Sequence, residues 1–377
     1  MKLTTLAISC GGTGGHFNPG LSIARALKAR GGNPVLILGG KHVVKQAETA
    51  AKYGIEAVKI EAVPLTKNPF KLPMFFKHLF AGAAQTKAAY RKYGCQALLC
   101  MGSFASFPPA LAARLNRFPL FLHDGNAKIG RANRMLSRWA KALALSFPVK
   151  DVSRCKCPTI LTGMPLRPEI VSGVMNKAEA VAEINRRWNT EFSPEKPLLL
   201  VFGGSLGART INTKVKIPAD LPGANELQVV RLAGPGNLEA IRPLYAASPA
   251  KELILEACQD MNILYSAADL VICRSGGSTV SELAIYGKYA VLSPFPFAAD
   301  GHQDDNAQWL AAAGGANVVA DSDCTEEKFA SILRTWTENR EEFSARGEAS
   351  KRLAQPDAAG TVLDMIENIL SVSPQSV

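Results

Sequence analysis

The sequence LTTLAISCGGTGGHFNPGLSIARALKARGGNPVLIL, residues 3–38, gives the clearest indication of the fold. It opens with an apolar run at residues 3–9, which predicts a buried β-strand. A glycine loop at residues 10–16 and an amphipathic helix at residues 21–30 follow, and a second apolar run occupies residues 34–38. Strand, glycine turn, helix and strand in this order make a βαβ unit, which predicts a parallel sheet covered by helices.

The same alternation continues outward through two halves of the chain. Further strand-like runs are predicted at residues 97–101, 119–123 and 142–146. A second start comes at residues 198–202, followed by Gly203-Gly204-Ser205-Leu206-Gly207 and by later runs at residues 228–233, 270–273 and 289–294. A helix-breaking GMPLRP at residues 163–168 marks the boundary. The sequence therefore predicts an α/β protein with two successive doubly wound, Rossmann-like domains.

Composition agrees with two domains and excludes several protein classes. The chain has 377 residues, of which 47% are hydrophobic and 20% charged, so a long disordered chain is excluded. No apolar run reaches the roughly 18 residues that a membrane-spanning helix needs. Eight cysteines are expected to be reduced, and Cys155 and Cys157 are too close together for the usual zinc knuckle.

Charge is distributed unevenly along the chain. Residues 1–160 carry 24 Lys and Arg against 5 Asp and Glu, whereas residues 161–377 carry 19 against 27. Such asymmetry indicates that the first half faces a polyanion, which could be nucleic acid, an anionic membrane surface or a phosphorylated substrate. Solubility alone explains the charge equally well.

The segment at residues 65–93 combines apolar anchors with basic side chains. The apolar ones are Phe70, Leu72, Met74, Phe75, Phe76, Leu79 and Phe80, and the basic ones are Lys67, Lys71, Lys77, Lys87, Arg91 and Lys92. Apolar anchors with a basic rim suit an element that lies in a membrane interface. An ordinary amphipathic helix packed on its own core fits the pattern equally well.

The loop Gly11-Gly12-Thr13-Gly14-Gly15-His16 stands between the first strand and the first helix. Glycines let the backbone approach a phosphate or sugar closely, and the helix N-terminus offers N–H groups. The loop is neither a P-loop nor a G-x-G-x-x-G fingerprint. His16 is a candidate general base, because an imidazole exchanges protons near neutral pH, and a capping or core histidine is the alternative.

The second half carries three more candidate binding stretches. Gly203-Gly204-Ser205 precedes a helix-compatible stretch whose N-terminus suits a diphosphate. The turn RSGGSTVSE, residues 274–282, offers N–H and hydroxyl groups to a phosphate, and Glu282 can accept both hydroxyls of a ribose. A capped helix start with a solvated glutamate is the alternative. Residues 294–306 offer amide, carboxylate and imidazole groups to sugar hydroxyls, and no metal is required.

Together these motifs resemble those of the MurG family, the UDP-N-acetylglucosamine–N-acetylmuramyl-(pentapeptide) pyrophosphoryl-undecaprenol N-acetylglucosamine transferases. The stretches that carry the resemblance are GGTGGHFNPGLSIARAL, HDGNAKIGRANRML, GGSLGARTIN, CRSGGSTVSELA and HQDDNA. The resemblance implies the GT-B glycosyltransferase fold, with two domains facing a central cleft. It implies that residues 1–164 face the acceptor and the membrane, with a C-terminal helix at residues 355–377 packing back on them, and that residues 165–354 bind UDP-GlcNAc.

The resemblance also implies an inverting transfer of GlcNAc from UDP-GlcNAc to the 4-hydroxyl of the muramyl sugar of lipid I, giving lipid II in peptidoglycan synthesis. It makes His16 the base on the acceptor hydroxyl, and it places Thr13, Gly14, Gly15, Asn126 and Arg167 around the sugars and the diphosphate. The donor residues that it implies are Ser205, Cys258 (by backbone groups at the uracil), Gly277, Ser278, Thr279, Val280, Ser281, Glu282 and, at the GlcNAc, Gln303.

The partners implied by the resemblance are UDP-GlcNAc, lipid I, cell-wall synthesis proteins and the cytoplasmic face of an anionic membrane, where the protein would be peripheral. No cofactor, metal or nucleic acid is expected.

Two loops depart from the family's pattern: Gly-Gly-Tyr-Val-Ser-Gly-Pro is replaced by GSFASFP at residues 102–108, and His-Glu-Gln-Asn by HDGN at residues 123–126.

Both departures lie on the acceptor side, so three other functions stay open. One is a GT-B glycosyltransferase with another lipid or small-molecule acceptor. The others are a UDP-GlcNAc 2-epimerase-like isomerase and a non-enzymatic protein that binds nucleotides or nucleic acid.

Overall fold

The computed structural model describes residues 2–66, 68–204 and 207–372 of the chain. Contacts divide the chain into two compact units: unit 1 is Met1–Arg167 with Gln355–Val377, and unit 2 is Pro168–Ala354. The sequence placed this boundary after residue 164. Each unit contains a parallel sheet with helices, which confirms the predicted α/β class with two doubly wound domains.

In the described part of unit 1, seven parallel strands form one sheet in the order β3-β2-β1-β4-β5-β6-β7. The strands are β1 (Thr5–Ser9), β2 (Asn33–Leu38), β3 (Glu56–Lys59), β4 (Ala97–Cys100), β5 (Leu120–Asp124), β6 (Ala142–Leu145) and β7 (Thr159–Leu161). The helices, numbered along the whole chain, are α1 (Gly14–Ala29), α2 (Val43–Lys52), α3 (Leu72–Tyr93), α4 (Phe107–Leu115), α5 (Arg131–Leu136) and α15 (Ala358–Val372).

Helix α1 begins at Gly14 rather than at the predicted Leu21. Glycine and proline have low helix propensities, which is why residues 14–16 were predicted as part of the glycine loop and the helix only from Leu21. Tertiary packing overrides those propensities, because Phe17, Pro19 and Gly20 are buried. A side chain at position 20 would bring its Cβ within 2.4 Å of the Cβ of Cys10, so glycine lets the helix lie directly against the end of β1. His16 consequently belongs to the first turn of α1.

The last described helix, α15, completes the core of unit 1. Its residues Val362, Leu363, Met365 and Ile366 are buried in one cluster with side chains from β1 and α1. The backbone N–H of Leu3 donates to Glu367 Oε1 at 2.9 Å, and Arg30 pairs with Asp364 at 2.5 Å. The C-terminal segment therefore packs on the N-terminal unit.

In the described part of unit 2, six parallel strands form a sheet in the order β10-β9-β8-β11-β12-β13. They are β8 (Leu198–Phe202), β9 (Gln228–Leu232), β10 (Lys251–Leu255), β11 (Leu270–Cys273), β12 (Ala290–Leu292) and β13 (Ala316–Val318). The helices are α6 (Pro168–Ser172), α7 (Lys177–Trp188), α8 (Arg209–Lys214), α9 (Leu238–Ile241), α10 (Met261–Ala267), α11 (Gly277–Tyr286), α12 (His302–Ala312), α13 (Glu326–Glu338) and α14 (Arg340–Ala349).

We expect Leu363→Ala to lower the free energy of unfolding by about 2–5 kcal/mol, because it leaves a cavity in the core that α15 shares with α1. Asp364→Ala on the same helix should cost at most about 1 kcal/mol, since its ion pair with Arg30 is exposed. Urea-induced unfolding measures both. Equal costs for the two variants would show that α15 contributes no core packing.

Candidate functional site

The candidate site of unit 1 lies where β1, β4 and β5, neighbours in the sheet, reach their carboxyl ends. The loop after β1 leads into α1, and the hydroxyl of Thr13 lies 2.9 Å from Nδ1 of the half-buried His16. The loop after β4 meets the same ring, since a Cβ at Gly102 would lie 3.4 Å from His16 Cδ2. Thr13, Gly14 and Gly15 are exposed. His16 is therefore held at the edge of the sheet by its own loop and by a neighbouring one.

Ser103, in the altered loop after β4, has a backbone conformation that normally requires glycine. Its φ of 68° with ψ of 171° lies in a region where a side chain costs about 1–3 kcal/mol. Its hydroxyl offsets part of this cost, because it donates to the carbonyl of Gly11 at 3.2 Å and accepts from the N–H of Ala105 at 3.2 Å. The loops after β1 and β4 are thereby tied together.

Asp124 organises the loop after β5. Its buried carboxylate accepts from the N–H of Gly130 at 2.7 Å, from that of Asn126 at 3.2 Å and from Asn133 Nδ2 at 2.9 Å. Asn133 Nδ2 also donates to the carbonyl of His123 at 2.9 Å, while its buried Oδ1 has no hydrogen-bond partner in the described chain. These bonds fix the loop that carries the half-buried Asn126.

Asn133 was not singled out from the sequence. Its one signal there is an asparagine inside a short helical stretch, where such a side chain competes with the backbone and needs a reason to be present. The structure supplies that reason, since Asn133 binds both the backbone and the carboxylate that end β5.

His123 lies beneath this site and is almost fully buried. Its Nε2 is 3.1 Å from the hydroxyl of Ser146. The pKa of His123 is lowered to about 4, mainly by burial; a hydrogen bond with the backbone at Gly163 opposes this change, and the charge of His16 contributes to it. His123 is therefore neutral near pH 7 and supports the site without titrating there.

The candidate site of unit 2 lies at the carboxyl ends of β8 and β11, which are also neighbours. After β8, Gly203 is required for a close approach, because a Cβ there would lie 2.1 Å from the backbone nitrogen of Ala208. Ser205, predicted to bind the donor, lies outside the described residues. The helix after this loop, α8, begins at Arg209.

After β11, the predicted strand-to-helix turn is present, and α11 begins at Gly277. The N-cap residue Gly276 is extended, and the first turn of α11 carries no acidic residue. The first N–H groups of a helix have no partner within it, so this N-terminus offers donors and a positive dipole end to a phosphate. Glu282 follows in the second turn and is buried; its Oε2 accepts from the hydroxyl of Tyr265 at 2.8 Å.

Arg274 and Gln303 connect this turn with the segment after β12. The Arg274 guanidinium donates to the carbonyls of Ser293 and Pro294 and pairs with Asp321 at 2.6 Å. Gln303, in the first turn of α12, accepts through Oε1 from the N–H of Phe295 at 2.9 Å. Its backbone carbonyl accepts from the hydroxyl of Ser275 at 2.7 Å.

The structure groups the predicted residues by unit. Unit 1 holds Thr13, Gly14, Gly15, His16, Asn126 and the half-buried Arg167, which is its last residue before unit 2. Unit 2 holds Gln303, the half-buried Cys258 between β10 and α10, and the stretch Gly277, Ser278, Thr279, Val280, Ser281 and Glu282 at the start of α11. Among residues 2–66, 68–204 and 207–372, no group of three or more His, Cys, Asp or Glu could hold a metal ion.

Helix α3 carries a separate surface of exposed apolar residues. Phe70 just before it, and Met74, Phe76 and Phe80 within it, are exposed, and we call these residues the α3 patch. Lys71 and Lys77 beside them are also exposed. The second half of α3 is different, because Gly82, Ala83, Thr86, Ala89 and Tyr90 are buried. Core packing thus explains only the second half of this helix.

No helix within the described residues is long and apolar enough to cross a membrane.

Two family models match the two parts of the chain. Residues 6–145 match the glycosyltransferase family 28 N-terminal domain, and residues 198–362 match the glycosyltransferase family 28 C-terminal domain.

Several curated proteins are similar over almost the whole chain. A UDP-N-acetylglucosamine--N-acetylmuramyl-(pentapeptide) pyrophosphoryl-undecaprenol N-acetylglucosamine transferase from Solibacter usitatus is 33% identical over 366 residues, 95% of this chain and 94% of that protein. The protein of the same name from Paraburkholderia xenovorans is 34% identical over 371 residues, 97% and 95% of the two chains.

Solved structures agree with this similarity. The crystal structure of Acinetobacter baumannii MurG matches with a TM-score of 0.74 at 27% identity, covering 97% of this chain and 99% of that one. A UDP-GlcNAc 2-epimerase from Neisseria meningitidis bound to UDP-GlcNAc matches with a TM-score of 0.67, covering 97% and 100%, but at 12% identity it shows the fold alone. The predicted GT-B class is confirmed.

We expect the stability of the protein to fall as pH decreases from about 6.5 to about 4, partly because of His123. The unfolded histidine takes up its proton near pH 6.5, whereas the folded one does so only near pH 4. Between these values the unfolded chain binds more protons, so acid removes up to about 3 kcal/mol. His123→Gln should flatten this part of the pH profile of urea unfolding. His42→Gln, at an exposed position, is the control, and equal flattening in both variants would contradict the assignment.

Proposed function

Because the chain belongs to glycosyltransferase family 28 and, within it, to the MurG family, we infer that it transfers N-acetylglucosamine from UDP-GlcNAc to the undecaprenyl-pyrophosphoryl-linked N-acetylmuramyl pentapeptide, lipid I. The observation that carries this function is similarity at 33–34% identity across both units of the chain. The isomerase alternative is supported only by a likeness of fold.

We propose that His16 is the general base of this reaction. With the proton on Nδ1 and donated to the hydroxyl of Thr13, Nε2 carries the lone pair that accepts a proton. The 4-hydroxyl of the muramyl sugar would give its proton to Nε2 while its oxygen attacks C1 of GlcNAc. The bond from C1 to the diphosphate oxygen breaks on the opposite side, so the configuration at C1 inverts and UDP leaves. Positioned base catalysis typically contributes about 10²–10⁴-fold.

The leaving diphosphate needs positive charge where its own charge develops. We propose that the N-terminus of α11, with the hydroxyls of Ser278 and Thr279, binds the diphosphate, and that Arg167 assists it. The proposed ribose ligand is Glu282, because a buried carboxylate accepts from two vicinal hydroxyls. Gln303 would contact the GlcNAc, backbone groups at Cys258 the uracil, and Ser205 the donor.

For the acceptor, we propose the loop that Asp124 organises. Asp124 already accepts two hydrogen bonds from its own loop and one from Asn133 on α5. Its proposed role is therefore to hold Asn126, which would contact the sugar, rather than to bind substrate itself. Basic residues predominate in residues 1–160, which suits an acceptor that carries a pyrophosphate.

We further propose that the protein attaches peripherally to the cytoplasmic face of an anionic membrane through the α3 patch. Exposed Phe70, Met74, Phe76 and Phe80 would enter the interface, and the neighbouring lysines would meet anionic headgroups. Proteins of cell-wall synthesis are the proposed protein partners.

His16→Ala should reduce kcat by about 10²–10⁴-fold, because the acceptor hydroxyl loses its base. The affinity for UDP-GlcNAc should stay within about twofold, since the proposed donor ligands are intact. Transfer of radiolabelled GlcNAc to a lipid I analogue in anionic vesicles measures the first quantity, and calorimetric titration measures the second.

The matched control for this experiment is His42→Ala, which removes an exposed histidine outside the proposed site. Transfer by His16→Ala at the rate of that control would refute the role of His16. If the wild-type protein bound UDP-GlcNAc but glycosylated a different glycolipid in place of lipid I, the acceptor assignment would be wrong.

The double variant Phe70→Ser/Phe80→Ser should lower the partition coefficient onto anionic vesicles at least tenfold, because two apolar anchors of about 1.5–3 kcal/mol each are lost. Val44→Ser/Leu115→Ser, at exposed positions of unit 1 outside the patch, should bind like the wild type. Vesicle flotation measures both, and binding should weaken with salt. Unchanged flotation of the first variant would contradict attachment through α3.

A further inference from the structure

Tyr265, on α10, is a buried side chain that no motif indicated. Its ring is fully buried and packs at 6.1 Å from the ring of Phe202, the last residue of β8, and at 5.3 Å from the ring of Tyr286 on α11. Its hydroxyl donates to Glu282 Oε2 at 2.8 Å. Tyr265 thus contacts the end of β8, helix α11 and the carboxylate that is assigned to the ribose.

The chemistry of this contact constrains the carboxylate. An ionised carboxylate can only accept hydrogen bonds, and a buried phenol must find an acceptor, so the donor and acceptor roles in this pair are fixed. Hydrogen bonds to charged groups are among the stronger ones in proteins. A rigid ring, held between two others, therefore restricts the rotation of the Glu282 side chain.

The negative charge of Glu282 acts on a buried group in the core of unit 2. Burial raises the pKa of the Cys273 thiol at the end of β11, and the negative charge of Glu282 raises it further. An ionised carboxylate in such surroundings needs donors, which Tyr265 and a bound ribose would both supply.

We propose that Tyr265 is a positioning residue that orients Glu282 toward the ribose hydroxyls and thereby makes the donor site selective for ribonucleotides over 2′-deoxyribonucleotides. This inference rests on the proposed function, in which Glu282 binds the ribose. Tyr265 does not touch the nucleotide in this scheme; it acts through the carboxylate.

The test compares the binding of UDP and of 2′-deoxy-UDP by calorimetry. The wild type should prefer UDP by about tenfold or more, the value of one hydrogen bond to a charged group. Tyr265→Phe removes only the hydroxyl. It should weaken UDP binding by about tenfold and leave 2′-deoxy-UDP binding nearly unchanged, so that the preference disappears. In the transfer reaction it should raise KM for UDP-GlcNAc more than it lowers kcat.

Tyr286→Phe is the matched control. The hydroxyl of Tyr286 is also buried and donates to the carbonyl of Ile170 at 2.7 Å, so its loss should cost similar stability without affecting the UDP preference. If Tyr265→Phe lowered Tm as Tyr286→Phe does but kept the preference for UDP, Tyr265 would be structural only and the inference would be overturned.

Glu282→Ala distinguishes a failure of the inference about Tyr265 from a failure of the proposal that Glu282 binds the ribose. If this variant loses the UDP preference and Tyr265→Phe keeps it, the ribose assignment stands and the inference about Tyr265 is wrong. If Glu282→Ala keeps the preference, both are wrong. In the double variant, Tyr265→Phe should add no further effect on UDP binding to Glu282→Ala, because its effect passes through the carboxylate.

Discussion

The order of the parallel strands determines where each unit can bind a ligand. In unit 1, β1 lies between β2 and β4, and in unit 2, β8 lies between β9 and β11. From β1 the chain passes first to β2 and reaches β4, on the other side of β1, only later; in unit 2 the same holds for β8, β9 and β11. The loop after β1 and the loop after β4 therefore lead to opposite faces of the sheet, as do the loops after β8 and β11. A crevice opens between them at the carboxyl edge. His16 follows β1, and the α11 turn follows β11, so both lie at such a point.

Buried polar contacts hold the loops at these edges in place. In unit 1, Asp124 and Asn133 fix the loop after β5, and in unit 2, Arg274 ties the turn after β11 to the segment after β12. Buried groups of this kind are costly unless they are paired, so each contact specifies one loop conformation strongly. Binding groups held in advance by the protein lose less entropy when a substrate arrives.

Sequence periodicity predicted the interior of both sheets but not their edges. The runs predicted at residues 198–202 and 270–273 are β8 and β11, central strands buried on both faces. The four strands that were not predicted are β3, β7, β10 and β13, which are the edge strands of the two sheets. An edge strand is only partly covered, so it lacks a continuous apolar run, and its pairing depends on a neighbour that is distant in sequence.

The candidate site shows the same division between local and long-range information. Motifs indicated His16 and Glu282, because local residue types and spacing carry those signals, and the family resemblance indicated Gln303. They did not indicate that Tyr265 contacts Glu282 or that Asn133 contacts Asp124. Those pairs meet only after the strands and helices between them have packed.

In the two loops that depart from the family's pattern, the side chains of Ser103 and Asp124 find their hydrogen-bond partners within unit 1. Ser103 keeps a backbone conformation suited to glycine and recovers hydrogen bonds through its hydroxyl. Asp124, shorter than the usual glutamate, accepts hydrogen bonds from two donors of its own loop and from Asn133 on α5. Both substitutions therefore preserve the shape of the loops rather than add groups that would bind a substrate. Two polar groups of the family's pattern remain missing: the glutamine amide, at Gly125, and the tyrosine hydroxyl, at Phe104. Any change in acceptor preference relative to the family should therefore arise at Gly125 or Phe104, since these are the positions where the altered loops lack a polar group of the family's pattern.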